Sequence, residues 1–310
     1  MRLLRNLPGA AGVTRHVAAI GGFDGIHLGH QALITRTREL ARTLGLASMV
    51  VSFEPLPKEY FAPDQPPARL TNFRERWRLL EQAGLDAFCV LHFNARLRAL
   101  RATEFAQLLV NGGVRQIVVG HDFRAGFRGE ANAEWFQSEG ARLGLATEVV
   151  APVKVAALRV GSGAVRSALE THDLATAARL LGRPYTMRGR VISGDQLGRK
   201  FGFPTANIRL ARRRTPIDGI FAVRVRVRVR GVGHGAGNGV ASIGTRPTVG
   251  GLTPLLEVHV FDFAGDLYGR ELEVEFVARL RDTLRFDNVD AMIEQMHRDA
   301  AGARAALATN

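Results

Sequence analysis

The sequence predicts two folds in series: an α/β doubly wound, Rossmann-like domain, then a small antiparallel β-barrel domain that ends in a helix. Three observations predict this. Short apolar runs alternate with helix-periodic segments as far as Val150. Beyond the breaker Gly182-Arg183-Pro184-Tyr185, helical periodicity vanishes until the last segment of the chain. A length of 310 residues also exceeds what one ordinary core accommodates. The boundary falls at the breaker, giving residues 1–183 and 184–310.

In the first domain the strands are read at His16–Ile20, Ala47–Ser52, Asp86–Leu91, Val114–Val119 and Leu145–Val150. The helices between them are Leu28–Leu44, Asn72–Ala83, Ala102–Val110 and Ala131–Leu143. Thr71 or Asn72 caps the second helix, and Gly84 stops it. Alternation of this kind builds a parallel sheet, whose ligands bind beyond the carboxyl ends of the strands. Three loops lie at such ends: Gly21–His30, Phe53–Tyr60 and Gly120–Gly129. Two more helices, Ala164–Glu170 and Leu174–Leu181, lead to the boundary.

In the second domain Val223–Arg230 alternates valine and arginine with a strict period of two, so the valines share one face. Gly231–Gly239 reads as a glycine-rich turn without core-forming power. Val240–Ile243, Leu255–Phe261 and Leu272–Leu280 read as further strands, and Val289 to Leu307 as a helix capped by Asp287 or Asn288.

Composition bounds the function. The net charge is +13, almost all from arginine, since Lys58, Lys154 and Lys200 are the only lysines. That balance suits an anionic partner, but no run of five basic residues occurs and most of the charge reads as solvated surface. The arginine face of 223–230 leaves a nucleic-acid-binding reading open, though none is expected. No apolar run approaches the roughly 18–20 residues of a membrane span, and no signal peptide is evident. The single cysteine, Cys89, sits in an apolar run and excludes an internal disulfide. A cytoplasmic location is expected. The oligomeric state stays open, a homo-oligomer included.

Common catalytic motifs fail. Gly194–Lys200 has three residues between its glycines rather than four, and Phe201 stands where a Walker loop needs Ser or Thr. Ser242 lacks the glycine a nucleophile elbow needs at position 240. Gly21-Gly-Phe-Asp-Gly-Ile-His27-Leu-Gly-His30 is more specific: a strand, then glycines, then a helix start presents backbone N–H groups to phosphate. Two imidazoles at i and i+3 share one face there and can donate to phosphate oxygens. A cap or core role is the ordinary alternative for either histidine alone. Gly29 is read as letting a triphosphate approach the backbone.

This stretch resembles the signature of the nucleotidyltransferase superfamily that carries a His-x-Gly-His element. Ser52-Phe-Glu-Pro-Leu-Pro57, Arg69-Leu-Thr-Asn72 and Val119-Gly-His-Asp122-Phe123-Arg-Ala-Gly126 extend the likeness to the bacterial FAD synthetase module. Ala125 replaces an aromatic residue of that pattern. The family's Ser-Ser-Thr-x-Ile-Arg stretch reads here Gly161-Ser162-Gly163-Ala164-Val165-Arg166, so only Ser162 and Arg166 match among its polar residues. In the second half, Gly189 to Asn207 resembles the riboflavin kinase module, as do Ile243–Thr248, Glu257–Asp262, Asp266–Gly269 and Arg285–Asp287.

The whole is similar to the bacterial bifunctional riboflavin kinase/FAD synthetase family. The resemblance implies a nucleotidyltransferase fold for the first domain. It implies phosphorylation of riboflavin by ATP to FMN, then adenylylation of FMN by ATP to FAD and pyrophosphate, with Mg²⁺. It makes His27 and His30 catalytic for adenylyl transfer, and Glu257 the base that activates the ribityl hydroxyl. Nucleotide contacts fall on Gly22, Phe23, Asp24, Gly25, Gly29, Asp122, Phe123, Ser162 and Arg166 in the first domain. In the second they fall on Gly194, Gly198, Gly202, Pro204 and Asn207, with Thr205 and Asn207 holding the metal. The altered 161–166 stretch leaves a second reading, a riboflavin kinase with a degenerate adenylyltransferase module.

Overall fold

A computed structural model describes residues 1–7, 14–193, 202–229, 232–248 and 251–309. The chain divides into two compact units. One comprises Met1–Pro67 with Arg76–Ser162, the other Ala68–Glu75 with Gly163–Asn310. The sequence boundary at 183/184 and this division differ: the helices from 163 onward and the short segment 68–75 fold with the second unit.

The first unit is built on a six-stranded parallel sheet. Its strands are β1 (Arg2–Leu4), β2 (His16–Ile20), β3 (Ala47–Glu54), β4 (Ala87–His92), β5 (Val114–Gly120) and, after a two-residue hairpin β6 (Arg124–Ala125) and β7 (Ala131–Asn132), β8 (Ala146–Val150). The order is β1-β4-β3-β2-β5-β8. The chain runs outward from β2 through β3 to β4, then returns to place β5 on the other side of β2. The switch point therefore lies between β2 and β5, and the loop after β2 opens there. β2 is buried along its whole length and Val50, Val51, Phe88 and Cys89 are fully inaccessible, as expected of strands covered on both faces.

The connecting helices are α1 (Leu28–Leu44), α2 (Pro57–Phe61), α3 (Phe73–Gln82), α4 (Ala95–Ala99), α5 (Ala102–Asn111) and α6 (Ala133–Trp135), which continues as a π-helical turn Phe136–Gly140. α1 ends on Gly45 in the left-handed conformation (φ 63°), whose N–H returns to Ala41 and Arg42. Asn72 is the cap of α3: its Oδ1 accepts from Glu75 N–H at 3.0 Å, and Glu75 answers by accepting from Asn72 N–H at 2.7 Å. A small hairpin of β9 (Lys154–Val155) and β10 (Leu158–Arg159) precedes α7 (Ser162–Glu170) and α8 (Leu174–Leu181).

The second unit holds a closed antiparallel barrel, β11-β12-β15-β14-β13-β16. Its strands are β11 (Thr186–Ile192), β12 (Ala206–Arg209), β13 (Gly219–Val229), β14 (Val232–Thr248), β15 (Gly251–Val260) and β16 (Glu271–Arg281). The helix α9 (Val289–Thr309) packs Ala303 and Leu307 against Ala222 and Phe261. Asn288 caps it, accepting from Ala291 N–H at 2.8 Å.

The glycine-rich stretch is not a turn. Residues 232–239 form the first half of β14, pairing with β13 from Val229↔Val232 to Val223↔Gly239. The glycines fit close strand approaches, since a Cβ at Gly239 would lie 2.4 Å from His259 O and one at Gly237 2.9 Å from a Val260 methyl. Val223, Val225 and Val227 point inward, as the alternation requires. The opposite arginines are paired rather than simply solvated: Arg224 with Glu275 at 3.2 Å and Arg226 with Glu273 at 2.8 Å.

Candidate functional site

The loop after β2 places its residues tightly. Phe23 and Ile26 take positive φ (49° and 44°), as does Gly25 (88°), and Phe23, Asp24 and His27 are buried. Three carbonyls of the loop are tied by side chains. Gly22 O accepts from Arg76 Nη1 (3.0 Å) and Ser52 Oγ (3.1 Å). Asp24 O accepts from Ser162 Oγ (2.8 Å), and Ile26 O from Gln31 Nε2 (2.9 Å).

The two histidines come together as the sequence requires. His27 caps α1, its Nδ1 accepting from His30 N–H at 3.3 Å, and the two rings stack at 3.7 Å between centroids. The Phe23 ring also contacts His30, tilted, at 4.8 Å between centroids. Burial pushes the His30 imidazole well below its ordinary value of 6.5, with His27 and Arg76 adding to the effect. His30 is therefore neutral at physiological pH and carries one ring N–H. Its Nδ1 is buried without a hydrogen-bond partner among the described residues. Gly29 makes room for the histidine: a Cβ there would meet the His27 ring at 3.2 Å.

Other expected residues are placed as follows. A Cβ at Gly22 would make ordinary van der Waals contact with a Leu56 methyl at 3.7 Å. Asp122 is exposed and pairs with Arg159 at 2.5 Å, while Phe123 packs edge-on against Phe136 at the core's margin. Arg166 lies in the second unit, where its Nε donates to Ala68 O at 2.6 Å. Arg69-Leu-Thr-Asn72, part of the family likeness, also folds with the second unit. There Asn72 Nδ2 donates to Leu210 O (3.1 Å), and Arg212 reaches the Arg69 and Leu70 carbonyls.

Sequence reading missed two features of the first unit. Arg76 is wholly inaccessible and holds the Gly22 carbonyl, with Glu54 as its ion-pair partner. The available signal was its position on α3: Phe73, Arg76, Trp77 and Leu80 follow the i, i+3, i+4, i+7 stripe, so an arginine stood where an apolar residue belongs. The second is an aromatic group at the carboxyl ends of β3 and β4. Phe93 meets Phe53 (5.8 Å), Tyr60 (5.2 Å) and Phe61 (5.8 Å) edge-on, and Phe61 is 60% exposed.

In the second unit a cavity of about 760 Å³ is lined by Val191, Pro204, Thr205, Val260, Asp266 and Tyr268 among others. His259 Nδ1 donates to Pro204 O at 2.9 Å. Strand register places Asn207 on β12 directly opposite Glu257 on β15, and Glu257 opposite Ser242 on β14. Directly opposed residues of an antiparallel pair project on one face, so the amide, the carboxylate and the hydroxyl line up across three strands. Gly202 has φ 78°, a conformation that suits glycine. Gly194 and Gly198 lie outside the described residues. Among the described residues no cluster of three His, Cys, Asp or Glu side chains suits a metal ion. The Thr205 hydroxyl and Asn207 carbonyl are hard oxygen donors of the kind Mg²⁺ takes, and Thr205 borders the cavity.

Comparison with known proteins matches both halves. A family model described as FAD synthetase matches residues 11–164, and one described as riboflavin kinase matches residues 181–307. The chain is 44% identical to a bifunctional riboflavin kinase/FMN adenylyltransferase of Pseudomonas fluorescens, over 94% of this chain and 93% of that one. It is 41% identical to the protein of that name from Escherichia coli K12, over 98% and 97%. A solved structure of a macrolide-efflux protein from Streptococcus pneumoniae superposes with a TM-score of 0.78 at 29% identity, covering 97% of this chain and 98% of that one.

Proposed function

The chain belongs to the bifunctional riboflavin kinase/FMN adenylyltransferase family, and from that premise we propose which of its residues perform each step. It phosphorylates riboflavin with ATP and adenylylates FMN with ATP. We assign the first reaction to residues 184–310 and the second to residues 1–183. Efflux is not carried over from the S. pneumoniae protein; no helix among the described residues is long and apolar enough to cross a membrane.

In adenylyl transfer an oxygen of the FMN phosphate attacks the α-phosphorus of ATP, and pyrophosphate leaves. The protein supplies alignment and charge neutralisation rather than a covalent nucleophile. His27 and His30 donate ring N–H groups to the phosphate oxygens, on a loop shaped by Gly22, Phe23, Asp24, Gly25 and Gly29. The stacked pair at the sheet's switch point is the observation that carries this assignment. Asp122 and Phe123 border the nucleotide, and Arg166 is the cation for the outer phosphates by its motif position. The aromatic group of Phe53, Tyr60, Phe61 and Phe93 offers a flat surface to the isoalloxazine ring.

In the kinase reaction Glu257 takes the proton from the 5′-hydroxyl of riboflavin as that oxygen attacks the γ-phosphorus and ADP leaves. Gly202 and Pro204, with Gly194 and Gly198, shape the nucleotide turn. Thr205 and Asn207 hold Mg²⁺, which, when bound, offsets phosphate charge. We place the enzyme in the cytoplasm, in keeping with one buried cysteine and no possible internal disulfide.

One experiment tests both assignments. Full-length His27→Ala/His30→Ala loses FAD formation from FMN and ATP but still makes FMN from riboflavin; Glu257→Gln shows the reverse. Undiminished FAD formation in the histidine variant refutes the loop assignment. A parent protein that makes FMN but no FAD supports the degenerate-module reading.

A further inference from the structure

We propose that Arg76 is a positioning residue for adenylyl transfer: it draws the Gly22 carbonyl into the protein and thereby turns the Phe23 amide toward the ATP phosphates. The proposal rests on the reading that the Gly21–His30 loop holds ATP. Its own ground is a set of contacts within the first unit.

The Arg76 side chain is fully buried in the interior face of α3, where an arginine is expected only if firmly partnered. Its Nη1 donates to Gly22 O at 3.0 Å and lies 3.2 Å from Ser52 Oγ, which donates to the same carbonyl at 3.1 Å. Its Nη2 pairs with Glu54, at the end of β3. One carbonyl thus receives two side-chain donors from two different elements. That is more than an ordinary loop carbonyl needs, and it fixes the direction of one peptide plane.

Direction matters because the Gly22–Phe23 peptide is trans, so its N–H points opposite to its C=O. Holding Gly22 O inward aims the Phe23 N–H the other way. The Phe23 backbone is in the left-handed region (φ 49°), costly for an aromatic residue, and its ring is buried. Such a conformation persists when its surroundings fix it on both sides. Arg76 and Ser52 fix it before Phe23, and Ser162 Oγ fixes Asp24 O after it. Successive peptides fixed in this way form an anion-binding concavity of backbone amides. The buried guanidinium, ion-paired with Glu54, lies beneath the loop.

A purely structural arginine would lower stability when replaced and affect both activities alike. A positioning arginine raises KM for ATP in one reaction only. The test uses the full-length enzyme, with Arg76→Met, Arg76→Lys and Ser52→Ala. Each is assayed for FMN adenylylation, for riboflavin phosphorylation and for melting temperature. Arg76→Met is expected to raise KM for ATP in adenylylation about tenfold or more, the loss of a charge-assisted hydrogen bond. KM for ATP in riboflavin phosphorylation stays within about twofold of the parent. Arg76→Lys recovers most of the loss, because the amine keeps the charge and one donor. Ser52→Ala alone raises KM for ATP severalfold, and its effect is not additive with Arg76→Met because both act on one carbonyl.

A folded Arg76→Met enzyme with an unchanged KM for ATP overturns the proposal. So does a loss shared equally by both activities. If Arg76→Met does not fold, an unchanged KM in both Arg76→Lys and Ser52→Ala overturns it as well. The His27→Ala/His30→Ala enzyme runs alongside. If it keeps adenylylation, the loop assignment itself fails; if it loses adenylylation while Arg76→Met does not, only the role of Arg76 falls.

Discussion

Replacing Arg212 by Met should destabilise the second unit more than any single surface change. The Arg212 side chain is fully inaccessible. Its Nη2 donates to both oxygens of Glu75, at 2.8 and 2.6 Å. Its Nη1 reaches Arg69 O (3.1 Å), Leu70 O (3.2 Å) and Tyr185 Oη (3.3 Å). Without it, the Glu75 carboxylate stays buried with the backbone amides of Asn72 (2.7 Å) and Arg188 (2.6 Å) as the remaining donors recorded to it. Removing one partner of a buried pair costs about 3–5 kcal/mol; the neighbouring Arg183, which also interacts with the Glu75 charge, keeps the cost toward the lower end of that range. For a unit of this size that is on the order of a 10 °C drop in melting temperature. The assay is thermal melting, with residual riboflavin phosphorylation as the probe of the second unit. Adding Glu75→Gln to Arg212→Met removes the orphaned charge and keeps an acceptor for one amide. The double variant should regain about 1–2 kcal/mol. A loss below about 1 kcal/mol in the single variant, or no recovery in the double, refutes the reasoning.

Acidification gives a second prediction. Burial depresses both His30 and His16, so below the ordinary value of 6.5 the unfolded chain binds protons that the folded protein does not. The contribution of these two rings is therefore flat above that value and falls as pH drops through it, by at most about 1.4 kcal/mol per pH unit for each ring. His30→Gln should flatten the decline seen in melts between pH 6.5 and 5; an unchanged slope counts against the assignment. Thr205→Val should slow FMN formation and raise the Mg²⁺ concentration needed for half-maximal rate, with FAD formation from supplied FMN unchanged. An unaltered Mg²⁺ titration removes Thr205 from the metal site.

Much of the architecture was legible because it depends on local periodicity. α1 and α8 fall on the predicted residues, and the buried strands β2 to β5 read as apolar runs. What was missed depends on long-range pairing. β11 contains Arg188-Gly189-Arg190, which hides its alternation; Gly189 is needed because a Cβ would meet Arg209 O on β12 at 2.3 Å. The glycine half of β14 has no propensity of its own and becomes a strand only because β13 offers it a partner. The histidines could be found from spacing, since i and i+3 on a helix start fixes their face. Arg76 could not be assigned a role in that way: its target, Gly22 O, is fixed only when α3 packs beneath the loop.

The departure at Gly161-Ser162-Gly163 leads to a gain-of-function prediction. Ser162 stands at the second position of the Ser-Ser-Thr pattern that the sequence resemblance implies, yet its hydroxyl is occupied with Asp24 O at 2.8 Å. It shapes the loop and has that much less to give a phosphate. The two flanking positions are where hydroxyls are missing. A Cβ built at either Gly161 or Gly163 meets nothing within 4 Å, and neither glycine has a positive φ. Serine and threonine therefore fit without moving the backbone. Gly163 also lies in the first turn of α7, where replacing glycine gains a few tenths of a kcal/mol in helix propensity. Gly161→Ser/Gly163→Thr should keep or raise the melting temperature and leave riboflavin phosphorylation unchanged. If hydroxyls are what the outer phosphates lack, KM for ATP in FMN adenylylation falls about tenfold or more, one hydrogen bond to a charged oxygen being worth about 1.5 kcal/mol. An intact melting temperature with an unchanged KM would mean that backbone amides and the two histidines already saturate phosphate binding, and that the glycines replaced hydroxyls the reaction did not need.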